Sequence, residues 1–155
     1  MSQNSVYFDL LTPVHFLRRA AEVFDDKTAV IYNDKSYTYT EFYNRVKRLA
    51  SALKKIGIRK GDKVAFICPN TPPMLEAHYA VPMIGAALVS INIRLSAPEI
   101  AYIIDHSDAK ALFVDNEFAN IVTPVTDKLP QVKTYVNICD ESDDRPLDGM
   151  EYEEF

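Results

Sequence analysis

The chain has 155 residues, 48% of them apolar, and a net charge of −5. That length suffices for one domain with a buried core, and that apolar content excludes a disordered chain. The modest negative charge, with acids gathered at 140–144 and 151–154, argues against a general nucleic-acid binder, which needs a basic face to neutralise phosphates.

Residues 1–11 have no clear hydrophobic period and are expected to form an extended arm; the domain proper is expected over 12–155. Thr12 can cap a helix with Pro13 in its first position. Phe16, Leu17, Ala20, Val23 and Phe24 would give that helix its apolar face. Residues 29–32 and 36–39 flank Asn33, Asp34 and Lys35, a hairpin turn by composition. Thr40 is the expected cap of a second helix, without a full capping box. Phe42, Val46, Leu49, Ala50, Leu53 and Ile56 form its stripe, and Gly57 closes it.

The stretch from 61 to 115 organises the rest. Residues 63–68 are a short apolar run, as a buried strand should be. Asn70 or Thr71 offers an N-cap oxygen before Pro72, and Met74, Leu75, His78, Tyr79 and Val81 follow at helical spacing. Gly85 ends that helix, and 86–91 is a second apolar run. Ser96 caps the next helix, which carries Ile100, Ile103 and Ile104. Residues 110–114 are a third strand. The span 117–128 is a helix that Pro124 should kink or break, 132–138 a further strand, 140–148 a polar loop, and 152–155 the first turn of a helix. Strands alternating with helices imply crossover connections. The expected fold is therefore α/β: part of a doubly wound, mostly parallel sheet with helices on both faces, plus an N-terminal hairpin.

Little chemistry is legible in the residues alone. No stretch is long and apolar enough to span a bilayer, and the start lacks a signal-peptide pattern, so a cytoplasmic protein is expected. Cys68 and Cys139 are too isolated for a disulfide framework or a zinc site and are expected as buried thiols in strands. Neither GxGxxG nor GxxxxGK[ST] occurs. His15, His78 and His106 lie far apart with no metal-ligand spacing. His78 is expected as a helix-packing residue, and His106 as a favourable partner of its helix dipole. Tyr37, Tyr39, Tyr43, Tyr79 and Tyr102 are expected mostly as core filler with a polar handle.

The order and spacing of several segments go further. SYTYTEF, then RLASAL, then GDKVAFICPNTPPMLEAHYAVPMIGAALVSINIRL resemble the opening of the adenylate-forming superfamily, which includes acyl-CoA synthetases, luciferases and peptide-synthetase adenylation domains. Glu76-Ala77-His78-Tyr79, Val81-Pro82-Met83, the run 92–95, Val114-Asp115 with Glu117-Phe118, and EYEEF at 151–155 resemble the branch that activates medium-chain fatty acids and related acids. The resemblance covers 12–155.

The resemblance implies a ligase that uses ATP and Mg²⁺ to make an acyl-adenylate from a fatty or related carboxylic acid, then transfers the acyl group to the thiol of coenzyme A. The family's phosphate loop, ribose-binding aspartate and catalytic lysine fall beyond Phe155. The chain is thus expected to be an N-terminal portion that carries no catalytic residue and is inactive without the remainder of its parent enzyme. In relatives the turn corresponding to 92–96 lies near the nucleotide of coenzyme A, which makes Asn92 and Arg94 the cofactor-contact candidates, since guanidinium suits phosphate. Family N-terminal regions can also take part in dimer contacts. The competing reading is a self-standing, non-catalytic α/β binding or dimerisation module.

Overall fold

A computed structural model of the chain describes residues 11–139 and 145–155. The expected arm up to residue 10, and residues 140–144 of the expected loop, lie outside that description.

Helix α1 (Pro13–Val23) starts as expected: the hydroxyl of Thr12 accepts the N–H of His15 at 3.4 Å, and Pro13 needs no partner for a missing donor. Its apolar face is narrower than the spacing suggests. Leu17 is buried, whereas Phe16 and Val23 are more than half exposed, because α1 touches its neighbours along a single stripe. Strands β1 (Thr28–Tyr32) and β2 (Lys35–Thr38) form the hairpin. Its turn is shorter than expected: Lys35 already pairs with Tyr32, and Asn33 takes a positive φ of 52°, which asparagine tolerates.

Helix α2 (Tyr39–Lys55) corrects the expected cap. Thr38, not Thr40, is the N-cap, and a full capping box is present. The Thr38 hydroxyl accepts the N–H of Glu41 at 3.2 Å, and the Glu41 carboxylate accepts the N–H of Thr38 at 2.8 Å. The expected stripe is buried from Phe42 to Leu53. Gly57, at φ 92°, closes the helix: its N–H donates to Lys54 and that of Ile58 to Leu53, the paired bonds of a left-handed C-terminal cap.

Strands β3 (Lys63–Ile67), β4 (Ala87–Ser90), β5 (Ala109–Asp115), β6 (Thr134–Ile138) and β7 (Met150–Glu151) form one sheet in the order β4-β3-β5-β6-β7, every pairing parallel. The four expected strands are therefore present and parallel, with a fifth added. Helices α3 (Pro72–Met83) and α4 (Ala97–Ser107) make the first two crossovers.

The segment after β5 is a 3₁₀ turn (Asn116–Phe118), one α turn α5 (Ala119–Val122) and a second 3₁₀ run (Thr123–Lys128). Pro124 sits where the α geometry gives way, as its lost N–H requires. Residues 152–154 form a turn rather than a nascent helix; β7, just before them, was not legible as a strand.

Period-two alternation splits the central strands between two cores. Val64, Phe66, Ala111, Phe113, Val136 and Ile138 face α2 and α3, while Ala65, Ile67, Leu112 and Val114 face the α4 side. Phe66 and Phe113 are register partners, and their rings stack with centroids 4.2 Å apart.

The last strand is held by Asn137, which is fully buried. Its amide nitrogen donates to the carbonyl of Leu147 at 3.1 Å, and its oxygen accepts the N–H of Leu147 at 3.1 Å. Gly149 passes so close to β6 that a Cβ there would lie 2.1 Å from the carbonyl oxygen of Tyr135. Gly149→Ala should therefore push β7 off the sheet and cost about 1–3 kcal/mol, the range for overpacking. An unchanged urea midpoint for this variant would refute the close approach.

Candidate functional site

In an open parallel sheet, ligands bind beyond the carboxyl ends of the strands, where successive crossovers diverge. Here β3 leads to β4 on one side, while β5, on its other side, leads away to β6. The divergence lies between β3 and β5. Their ends bring together Cys68, Thr71 and Asp115, all buried. The Cys68 sulfur lies 3.0 Å from the Thr71 hydroxyl and 4.0 Å from the Asp115 carboxylate. The second oxygen of Asp115 accepts the N–H of Glu117 at 3.0 Å, starting the 3₁₀ turn. One strand further on, the Asn116 amide donates to the sulfur of Cys139 at 3.2 Å.

Burial pushes the Cys139 thiol up, and the Asn116 hydrogen bond offsets this only in part. A thiol so placed is not an activated nucleophile. Cys139 is half-buried rather than in the core, and each cysteine lies just past its strand. Among the described residues, no group of three or more His, Cys, Asp or Glu side chains could hold a metal ion.

Asn92 and Arg94 sit at the corner beside this edge. They follow β4, the outermost strand, so their turn is one strand removed from the divergence point. Both are exposed. The Asn92 side-chain oxygen accepts the N–H of Arg94 at 2.9 Å, which fixes the turn by a side-chain bond. Among the described residues, Arg94 makes no ion pair. The turn ends at Ser96, whose backbone N–H and hydroxyl both donate to Glu99, at 2.9 and 2.6 Å. These bonds hold the Glu99 carboxyl below the usual range and tie the first turn of α4 to the corner.

The histidines are not drawn together. His78 is exposed, which corrects its expected role as a packing residue, and its ring Nδ1–H donates to the carbonyl of Met74 at 2.8 Å. His106 is exposed in the last turn of α4, stacked on Tyr102. Tyr102 itself is 66% exposed and no core filler.

The most unusual polar cluster was not legible in the sequence. Glu76, on α3, is 1% exposed. One carboxylate oxygen accepts from Arg45 Nε at 2.5 Å, the other from the Tyr152 hydroxyl at 2.6 Å. The two terminal nitrogens of Arg45 hold the carboxylate of Glu153, and the guanidinium lies 5.2 Å from the centre of the Tyr37 ring. Burial opposes the Arg45 charge, but Glu153 and Glu76 more than offset it, so its pKa is raised. Burial, reinforced by Glu76, pushes the Tyr152 hydroxyl well up, so it donates as a neutral group. The only hint in sequence was a lone acid amid Pro72-Pro73-Met74-Leu75 and Ala77. The two donors lie 31 and 76 residues away.

Residues 17–154 match the AMP-binding enzyme family. The chain is 44% identical over 137 residues to 4-hydroxybutyrate–CoA ligase 2 of Metallosphaera sedula, covering 88% of this chain and 24% of that protein. It is 43% identical over 120 residues to a peroxisomal butyrate–CoA ligase of Arabidopsis thaliana, covering 77% of this chain and 21% of that protein. A crystal structure of a long-chain-fatty-acid CoA ligase from Rhodopseudomonas palustris, described there as putative, superposes with a TM-score of 0.84 at 32% identity over 93% of this chain and 36% of that one. The chain thus spans about a quarter of the length of the curated relatives it matches.

Proposed function

The chain belongs to the AMP-binding enzyme family, and from that premise we propose that it is the N-terminal portion of an AMP-forming acid–CoA ligase. The observation that carries the reading is the family match over nearly the whole chain, together with relatives that are themselves CoA ligases. The proposed substrate is a fatty or related carboxylic acid. The relatives named for 4-hydroxybutyrate and butyrate favour the short end of that class. The medium-chain branch suggested by the sequence is the longer alternative.

In the proposed reaction the carboxylate attacks the α-phosphorus of ATP and pyrophosphate leaves. The thiol of coenzyme A then attacks the acyl carbon and AMP leaves. ATP, coenzyme A and Mg²⁺ belong to this proposal; Mg²⁺ would offset phosphate charge. We assign the metal to the rest of the enzyme, with the phosphate loop that the family resemblance places beyond this chain. This chain's contribution is a rigid parallel sheet whose carboxyl edge presents the Asn92–Arg94 turn. Arg94 is exposed and without an ion pair among the described residues, which leaves its fork open to a phosphate of coenzyme A.

We place the enzyme in the cytoplasm, in keeping with a chain that has only two cysteines, although several relatives are named as peroxisomal. Among the described residues no helix is long and apolar enough to cross a membrane.

Two preparations test the reading. The 155-residue chain with ATP, Mg²⁺ and butyrate should release no pyrophosphate above background, because it contains no glycine-rich phosphate loop to preorganise donors around the transferring group. The same chain within a polypeptide of its relatives' length, given coenzyme A as well, should yield AMP and acyl-CoA in equal amounts. ADP as product, or adenylate formation by the short chain that a point change within it abolishes, would overturn the proposal.

A further inference from the structure

The last three turns of α2 carry Arg45, Lys47, Arg48, Lys54 and Lys55 and no acid, in a chain whose net charge is −5. Arg48, Ser51, Ala52 and Lys55 lie at helical spacing on one stripe, and they line a cavity of about 250 Å³ that the turn after β7 closes from the other side. Its floor is the Arg45–Glu76–Tyr152 cluster, and Leu49 and Phe155 supply apolar wall.

Within this cavity the charges do not balance. Glu76 is committed to Arg45 and Tyr152, and Glu153 to Arg45. Arg48 and Lys55 have no carboxylate against them among the described residues. Arg45 is preorganised: its side chain is 13% exposed, Glu76 fixes its Nε, and the Tyr37 ring lies beside its guanidinium. Its outward fork is filled from the solvent side by Glu153, whose side chain is 60% exposed. A pair with one partner so exposed is weak and screened by salt, so an external anion can compete for the fork.

We propose that the Arg45 fork is a binding site for a small aliphatic carboxylate, which Glu153 occupies in this structure as a tethered stand-in. The planar fork matches a carboxylate bidentately. Arg48, Lys55 and Ser51 lie within the same cavity, and Leu49, Ala52 and Phe155 take the ligand's apolar body. The volume sets the size. Sites for drug-sized ligands run from about 300 Å³ upward, and a cavity of about 250 Å³ suits a short acid. The site lies on the α2 side of the sheet, away from the Asn92–Arg94 turn, and the inference stands whether or not the chain forms part of a ligase.

Calorimetric titration of the protein with sodium butyrate at constant ionic strength, with inorganic phosphate as a second arm, tests this. Glu153→Gln empties the fork and should bind butyrate at least tenfold more tightly than the unaltered protein. Adding Arg48→Ala and Lys55→Ala, both exposed positions, should abolish that gain. Heats that do not saturate, or an affinity untouched by the two alanines, would overturn the site. Tighter binding of phosphate than of butyrate would overturn the carboxylate assignment. Should Glu153→Gln fail to fold, the unaltered protein still decides: it must show weak saturable butyrate binding that Arg48→Ala with Lys55→Ala removes, and no such binding refutes the proposal.

Discussion

Replacing Arg45 with methionine is expected to lower the stability of the chain by about 3–5 kcal/mol, the cost of leaving a buried charge without its partner. Glu76 lies on the inner face of α3, with its side chain 2% exposed, where water cannot replace the lost guanidinium. Tyr152 would then be its only donor shown here, and one hydroxyl does not offset the desolvation of a carboxylate. The loss extends beyond the pair, because the same arginine ties Glu153 and the terminal turn to α2.

Two comparisons separate this account from a simple loss of packing. Arg45→Met combined with Glu76→Leu should recover most of the stability, since replacing both members of a buried pair with apolar residues is often neutral. Glu153→Gln removes only the exposed partner and should cost less than about 1 kcal/mol. Urea unfolding of the single and double variants measures all three. An Arg45→Met midpoint no lower than that of Glu153→Gln would show that the buried carboxylate does not depend on its arginine.

Phe113→Ala is the second large effect, expected at about 3–5 kcal/mol. Phe113 is fully buried at the centre of β5. It stacks on Phe66 of the neighbouring strand, with the planes 4° from parallel, and meets the rings of Tyr152 and Phe155 edge-on. One truncation therefore opens a cavity under α2 and α3 and also removes the aromatic seat of the terminal turn. The strands on either side are fixed by their ladders, so the space cannot collapse. Tyr102→Ala, exposed on α4, serves as the control and should stay within about 0.5 kcal/mol. Equal midpoints for the two variants would place Phe113 outside the stabilising core.

The two predictions differ in what could be foreseen. Phe113 lies in an apolar run that the sequence marks as a strand, and its burial follows from a parallel sheet covered on both faces. Arg45 and Glu76 offered no such signal. Arg45 sits in α2, whose apolar stripe is legible from spacing, and Glu76 in α3, where Leu75 and His78 of the expected apolar set are exposed instead. A single charge on a helix is ordinarily solvated. Only the angle at which α2 packs on α3 turns these two toward each other and away from water.

By itself the sequence determined the elements and the class: the four longer sheet strands, the helices between them, the glycine that ends α2, and a resemblance to the adenylate-forming superfamily that the family match bears out. These are local properties, set by side-chain period, cap chemistry and allowed φ over a few residues. The side-chain cap expected of Asn70 or Thr71 is not made: Thr71 is the N-cap of α3 without a side-chain capping hydrogen bond. Tertiary structure decided the strand order and hence the divergence point between β3 and β5. It added β7, too short to show a period and held by Asn137 and the close approach of Gly149. It placed Asn92 and Arg94 at an edge strand, and it assembled Arg45, Glu76, Tyr152 and Glu153 from three separate elements. Those contacts join residues up to 108 positions apart. No local pattern encodes such a separation, because the energy that fixes it arises only once both sheet faces are buried and water has been excluded from between them.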